Sequence, residues 1–236
     1  MELDDYKIIQ LLCTSESDSI ELAEQLAASQ GWKLITILKK YGYYDCGIRY
    51  IKDFLRNWWS FSGKGISKLP ELFPASLREI SCYSNQITAL PNNLPLSLEK
   101  LYCRDNQLTN LPDTLPASLK YLDCRYNQLT KLPENLPHSL DDLKCSYNQL
   151  TALPDNLPHS LKELNCSHNQ ITTLPDTLPN NLTVLFCNNN QIEYLPEVFP
   201  NNLQTIRCDD NPIRNIEVLE KEFHKQGTLW MRKNQE

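Results

Sequence analysis

The chain has 236 residues, with 23 Lys and Arg against 29 Asp and Glu, for a formal charge of −6. That modest acidic balance, spread without runs, excludes nucleic acid and anionic lipid as main partners. No stretch is long and apolar enough to span a membrane, and the first residues, Met1 to Tyr6, lack the basic and apolar regions of a Sec-type signal peptide.

All 15 prolines lie from Pro70 onward, so residues 1–65 are free to be helical and read as an N-terminal helical cap. Leu3, Tyr6, Ile9, Leu12 and Cys13 recur at helical spacing. A second helix starts at Ser17 or Asp18, buries Ile20, Leu22, Ala23, Leu26 and Ala27, and stops at Gly31. Trp32 to Tyr41 forms a third around Leu34, Ile35 and Leu38. The fourth, Cys46 to Phe61, carries Ile48, Ile51, Phe54, Leu55 and Trp58 before Gly63 and Gly65 break it. Such helices are expected to cover the open end of the next domain, with Trp58 and Trp59 packed on its first turn.

That domain, residues 66–216, repeats a 21-residue unit whose clearest copy runs from Leu98 to Ser118. Its columns include Leu77, Leu98, Leu119, Leu140, Leu161, Leu182 and Leu203, then Ile80, Leu101, Leu122, Leu143, Leu164, Leu185 and Ile206. Two further columns have no exception. One is Cys82, Cys103, Cys124, Cys145, Cys166, Cys187 and Cys208; the other is Asn85, Asn106, Asn127, Asn148, Asn169, Asn190 and Asn211. A fixed period of this size is the signature of a solenoid, an α/β repeat in which each copy adds one short strand to a curved parallel sheet.

Period-two alternation turns Leu101 and Cys103 inward, and Lys100, Tyr102 and Arg104 toward the concave face. A small, apolar thiol suits a narrow stacked layer, whereas parallel in-register side chains are poorly placed for disulfides. With no C-x-x-C pairs and no Gly-rich phosphate loop, neither a metal nor another cofactor is expected. The Asn column sits in the turn after the strand, where an amide satisfies backbone groups of adjacent copies. Proline pairs such as Pro112 and Pro116 forbid a helix on the convex side and favour extended, polyproline-like backbone.

The series ends where Ile216-Glu217 replaces the expected Pro. Asn215 to Gln226 then reads as a helix capped by Asn215, making residues 217–236 a C-terminal helical cap.

These motifs resemble the leucine-rich repeats of bacterial effectors of the IpaH and YopM kind, with their Asn-x-Leu-Thr-x-Leu-Pro endings. The resemblance covers residues 66–216; here Cys replaces the family's frequent Val or Leu. It implies a non-enzymatic protein, delivered from the bacterial cytoplasm into host cytosol by a non-Sec route, that recognises a host signalling protein or a co-delivered bacterial enzyme. IpaH members carry a ubiquitin-ligase domain after the repeats; with about 20 residues after the last repeat, none is expected here. Cys103-Arg104-Asp105 and Cys208-Asp209-Asp210 match that domain's Cys-x-Asp motif, but their cysteines belong to the ladder and are read as chance matches.

If the invariant columns build the scaffold, function is written in the outward positions that vary. Tyr and Arg are enriched at protein-binding hot spots. The expected protein-binding residues are Tyr102, Arg104, Tyr121, Asp123, Arg125, Tyr126, Lys144, Tyr147, His168, Phe186 and Arg207. The protein is expected to act as a monomer. Two alternatives are an activity centred on Cys13 or Cys46 in the N-terminal block, and a structural or adhesive repeat protein.

Overall fold

The computed structural model describes residues 2–14, 18–19, 21–23, 25, 34–40, 43 and 56–218. Eight three-residue strands form one parallel sheet in strict chain order: β1 (Trp58–Ser60), β2 (Glu79–Ser81), β3 (Lys100–Tyr102), β4 (Tyr121–Asp123), β5 (Asp142–Lys144), β6 (Glu163–Asn165), β7 (Val184–Phe186) and β8 (Thr205–Arg207). From β2 onward every strand is in register with the next at the repeat spacing, so Leu101 pairs with Leu122 and Leu122 with Leu143. The sheet is a leucine-rich-repeat solenoid. Its convex connections, including the proline pairs, contain neither helix nor regular strand.

Identical residues stack because the register is fixed. The Leu and Ile columns are fully buried, and the seven Cys side chains between them are 0 to 3% exposed. All seven are free thiols. Burial pushes the Cys82 and Cys166 thiols up to about 12, so the ladder holds neutral, unreactive sulfur.

Each Asn side chain joins two copies. Asn127 accepts from the Leu108 backbone N–H at 2.9 Å and donates to the Cys103, Cys124 and Arg125 carbonyls at 3.0, 3.1 and 3.2 Å. The same pattern recurs at Asn106, Asn148, Asn169 and Asn190. A second ladder runs on the convex side, where Ser118 Oγ lies 2.7 Å from the carbonyls of Leu96 and Leu98. Ser139 repeats it on Ala117 and Leu119. In the last copies Asn181 and Asn202 replace the serine and still reach His159 and Asn180.

The fourth N-terminal helix does not extend through Trp58 and Trp59. Those residues open β1, and Trp59 pairs with Ile80. Trp59 and Phe61 occupy the buried columns held by Ile80 and Cys82 in the next copy, which makes 58–70 a degenerate copy of the repeat. Period-two burial fits this stretch as well as helical spacing does, and pairing with a ready strand edge decides between them. Trp59 packs edge-on against Tyr43 and Phe61, with ring centroids 6.2 and 5.8 Å away. Cys46 and residues 44–55 lie outside the described residues.

Among the described residues, helices α1 (Glu2–Thr14) and α2 (Leu34–Lys40) precede β1, and residues 18–19, 21–23 and 25 between them are also helical. Ile8, Ile9, Leu12 and Cys13 of α1 and Ile37 and Leu38 of α2 join the same buried core as the repeats. The Cys13 carbonyl accepts from Ala75 N–H, and Tyr43 Oη donates to the Leu72 carbonyl, both at 2.9 Å. At the other end, the Asn215 side chain accepts from Leu195 N–H and donates to Leu195 C=O, so its amide continues the inter-copy bonding. The expected helix begins at Glu217 and Val218, and residues 219–236 lie outside the described residues.

Candidate protein-binding face

The outward strand positions form three columns, and the turn after each strand adds a fourth. That fourth column has an unusual backbone. Ser84, Asp105, Tyr126, Tyr147, His168, Asn189 and Asp210 all have φ between 53 and 56°, and Gly63 leads them at 64°. The left-handed conformation costs an ordinary residue about 1 to 2 kcal/mol. Asn, Asp and Gly tolerate it best, and a bulky side chain there is an outlier. Tyr126 and Tyr147 are therefore the costly occupants of this column.

Both tyrosines are exposed, at 50 and 42%. Their rings stack with centroids 4.3 Å apart and planes 10° apart, and His168 continues the stack at 4.1 Å and 12°. The result is a rail of three parallel rings along the rim of the strand face. On either side of it the column is polar: Ser84 Oγ donates to Asp105 at 2.7 Å, and Asn189 donates to Asp210 at 3.2 Å.

The centre of the face is a set of internally paired charges. Arg125 grips Asp123 with two bonds, Nε to Oδ1 at 2.8 Å and Nη2 to Oδ2 at 2.7 Å. Asp123 is 2% exposed as a result, so it forms the floor of the face beneath Arg125 and is not an open contact residue. Lys144 lies 3.2 Å from Asp142 and 3.2 Å from Tyr121 Oη. Burial lowers the Lys144 pKa, but its bonds to Tyr121 and Asp142 outweigh this and hold the amine above its ordinary value. Tyr102 leans on Tyr121 at 4.8 Å, and burial, then the nearby Glu79 carboxylate, raise its phenol.

Arg104 lies over the Tyr83 ring at 4.9 Å, and Arg207 over Phe186 at 5.9 Å. Phe186 is half-buried, less open than its strand position suggests. A concavity of 440 Å³ lies on the convex side between successive Leu-Pro turns, away from these side chains. A groove of 320 Å³ at the rim is lined by Ser84, Arg104, Asp105 and Tyr126.

Three comparisons bear on this surface. Family profiles described as Leucine Rich repeats (2 copies) and Leucine Rich Repeat match residues 159–201 and 118–139. The comparison with curated proteins found no match. Among solved structures, a Shigella effector LRR domain is 34% identical with a TM-score of 0.63, over 73% of this chain and 77% of that one. The chain belongs to the bacterial leucine-rich-repeat effectors. YopM from Yersinia enterocolitica WA-314 is 36% identical with a TM-score of 0.64, over 69% of this chain and 35% of that one. YopM from Yersinia pestis is 28% identical, with a TM-score of 0.60, over 88% of this chain and 53% of that one. The chain thus spans about a third to a half of the YopM chains and most of the Shigella domain.

In this member of the leucine-rich-repeat family ten of the eleven expected binding residues fall into four groups: the Tyr126, Tyr147 and His168 rail; Tyr102, Tyr121 and Lys144; Arg125 over Asp123; and the Phe186 and Arg207 pair. Arg104 stands with Tyr83, which is also exposed and which sequence reasoning did not select. Its signal was its place in the Arg104 column. Trp58 was read as a helix residue but stands on β1, 49% exposed, in the outward column of Glu79. Of the alternative catalytic cysteines, Cys13 is buried, and burial pushes its thiol up to about 12, far from a thiolate nucleophile. Among the described residues no three His, Cys, Asp or Glu side chains are grouped to hold a metal, and no helix is long and apolar enough to cross a membrane. The repeat array is a protein-binding module.

Proposed function

We propose that the chain is a non-enzymatic bacterial effector that grips one protein on its concave strand face and alters that protein's activity by covering it. The observation that carries this reading is the placing of Tyr126 and Tyr147 in left-handed backbone, exposed and stacked, where Asp or Asn would cost less. Strain that the fold does not need is kept where function needs it. The paired charges around the rings add to the case. A face whose ions already satisfy one another is preorganised and loses little on desolvation.

Effector relatives support delivery into a host cell, and the partner is then a host signalling protein or a bacterial enzyme delivered alongside. Capture from host and bacterial lysates separates the two. The test of the face is the combined Tyr102→Ala, Tyr126→Ala and Tyr147→Ala variant. It should lose the captured protein while keeping the wild-type circular dichroism spectrum and unfolding midpoint. Unchanged capture removes this face from the reading.

A further inference from the structure

The ring rail stops abruptly on one side. Tyr126 has Tyr147 on one face, and its other face looks along the solenoid toward the preceding rung, where the column carries Asp105. Rungs of a parallel sheet are about 4.8 Å apart, close to the 4.3 Å between the two tyrosine rings. An aromatic residue at 105 would therefore have continued the stack. The side chains actually present there, Asp105 and Ser84, are short and bonded to each other, and the space above them is the 320 Å³ groove bounded by Arg104.

We propose that this groove takes an aromatic side chain of the bound protein, which lies flat on Tyr126 and makes the rail four rings long. The inference rests on the concave-face reading and names the chemistry the rim selects. Three observations favour a neutral ring over an ion. Asp105 already holds the Ser84 hydroxyl, Arg104 is already seated on the Tyr83 ring, and the one carboxylate and one guanidinium lining the groove cancel. An incoming cation gains Asp105 but meets Arg104; an incoming anion meets the reverse. A planar ring avoids both conflicts, stacks on Tyr126, and brings its edge to Arg104. An offset-stacked pair adds only about two- to tenfold in affinity beyond the area it buries, so a single ring binds weakly and contributes as one part of an interface.

The probe is N-acetyl-tryptophanamide, titrated to about 20 mM into the isotope-labelled full chain and followed by NMR. Stacking moves the Tyr126 ring and Asp105 amide resonances upfield, and it favours the aromatic amide over N-acetyl-cyclohexylalaninamide and N-acetyl-argininamide. Asp105→Tyr supplies the fourth ring from within, at a column that already accepts tyrosine at 126 and 147. This variant should keep the wild-type spectrum elsewhere and lose the tryptophanamide shifts. The proposal is overturned if no shifts centre on Tyr126, if the cyclohexyl or arginine amide does as well, or if Asp105→Tyr responds like the wild type. Capture of the partner separates this failure from that of the wider reading. A partner kept by Asp105→Tyr at full affinity but lost by the triple alanine variant uses the face and not the groove.

Discussion

Replacing Asn127 with Ala isolates the element that ties one copy to the next. The Asn127 side chain is 9% exposed and makes the only hydrogen bond found for the Leu108 N–H among the described residues. Leu108 itself is 0% exposed, so the substitution leaves a buried donor without a partner at a cost of about 1 to 3 kcal/mol. The carbonyls fare better. Cys103 C=O keeps Asn106 as a donor and Cys124 C=O keeps Asn148. Losing one of two donors at each site adds about 0.5 to 1 kcal/mol apiece. The predicted loss is therefore about 3 kcal/mol, measured by urea unfolding followed by far-UV circular dichroism. Asn127→Asp should be worse than Ala, because it keeps the acceptor but turns the donor into an anion aimed at three carbonyl oxygens. Asn110, exposed and with its side chain bonded only to Thr109 among the described residues, is the control, and Asn110→Ala should change stability by less than about 0.5 kcal/mol. A loss below about 1 kcal/mol for Asn127→Ala would refute the assignment of the Asn column as the joint between copies.

The cysteine ladder should be invisible to thiol reagents in the native protein and react fully in denaturant, with Cys208, at the end of the stack and raised only to about 11, labelled first during partial unfolding. Arg125→Ala strips the partner from buried Asp123 and should cost about 2 to 3 kcal/mol, less than a fully buried pair because the Arg125 side chain is 26% exposed. Removing Asp123 as well should restore part of that loss. The Glu99 carboxyl is held below its ordinary value by hydrogen bonds from Lys120 and then Arg78. A depressed carboxylate contributes its stability above the unfolded-state value and loses it as pH falls through the folded one. NMR titration of the Glu99 side chain should show that low midpoint, and Lys120→Met should raise it.

The register of seven strands was legible because one apolar pattern recurred with two invariant letters, Cys and Asn, and identical letters can stack only in register. The first strand was not. Trp59 and Phe61 stand where later copies have Ile or Leu and Cys, and neighbours at 48, 51, 54, 55 and 58 gave a competing helical period. Gly63 looked like a helix breaker, yet it is the first member of the left-handed column that the sequence never announced as one. The variable positions flank the buried Leu and Cys columns, yet Asp123, Ser146 and Ser167 among them are buried, and sequence could not show which of them pair with each other. Asp123 and Arg125 lie two residues apart on one strand face and spend their charges on one another, whereas Tyr126, Tyr147 and His168 become one surface only when the copies stack. The column of Ser97, Ser118, Ser139 and Ser160 recurred until Asn181 and Asn202 replaced it, and its hydroxyl bonds to preceding carbonyls could have been read from the same logic.

The most direct test of the binding face is site-specific photo-crosslinking. A benzoylphenylalanine placed at Tyr102, on the face, and one placed at exposed Asp113, on the convex side, report on opposite surfaces of the same folded chain. Treated with lysate and light, the protein labelled at 102 should form one discrete covalent adduct that the unlabelled wild-type protein competes away, and the protein labelled at 113 should form none. A competed adduct at 113 with none at 102 would place the partner on the proline side and contradict the account.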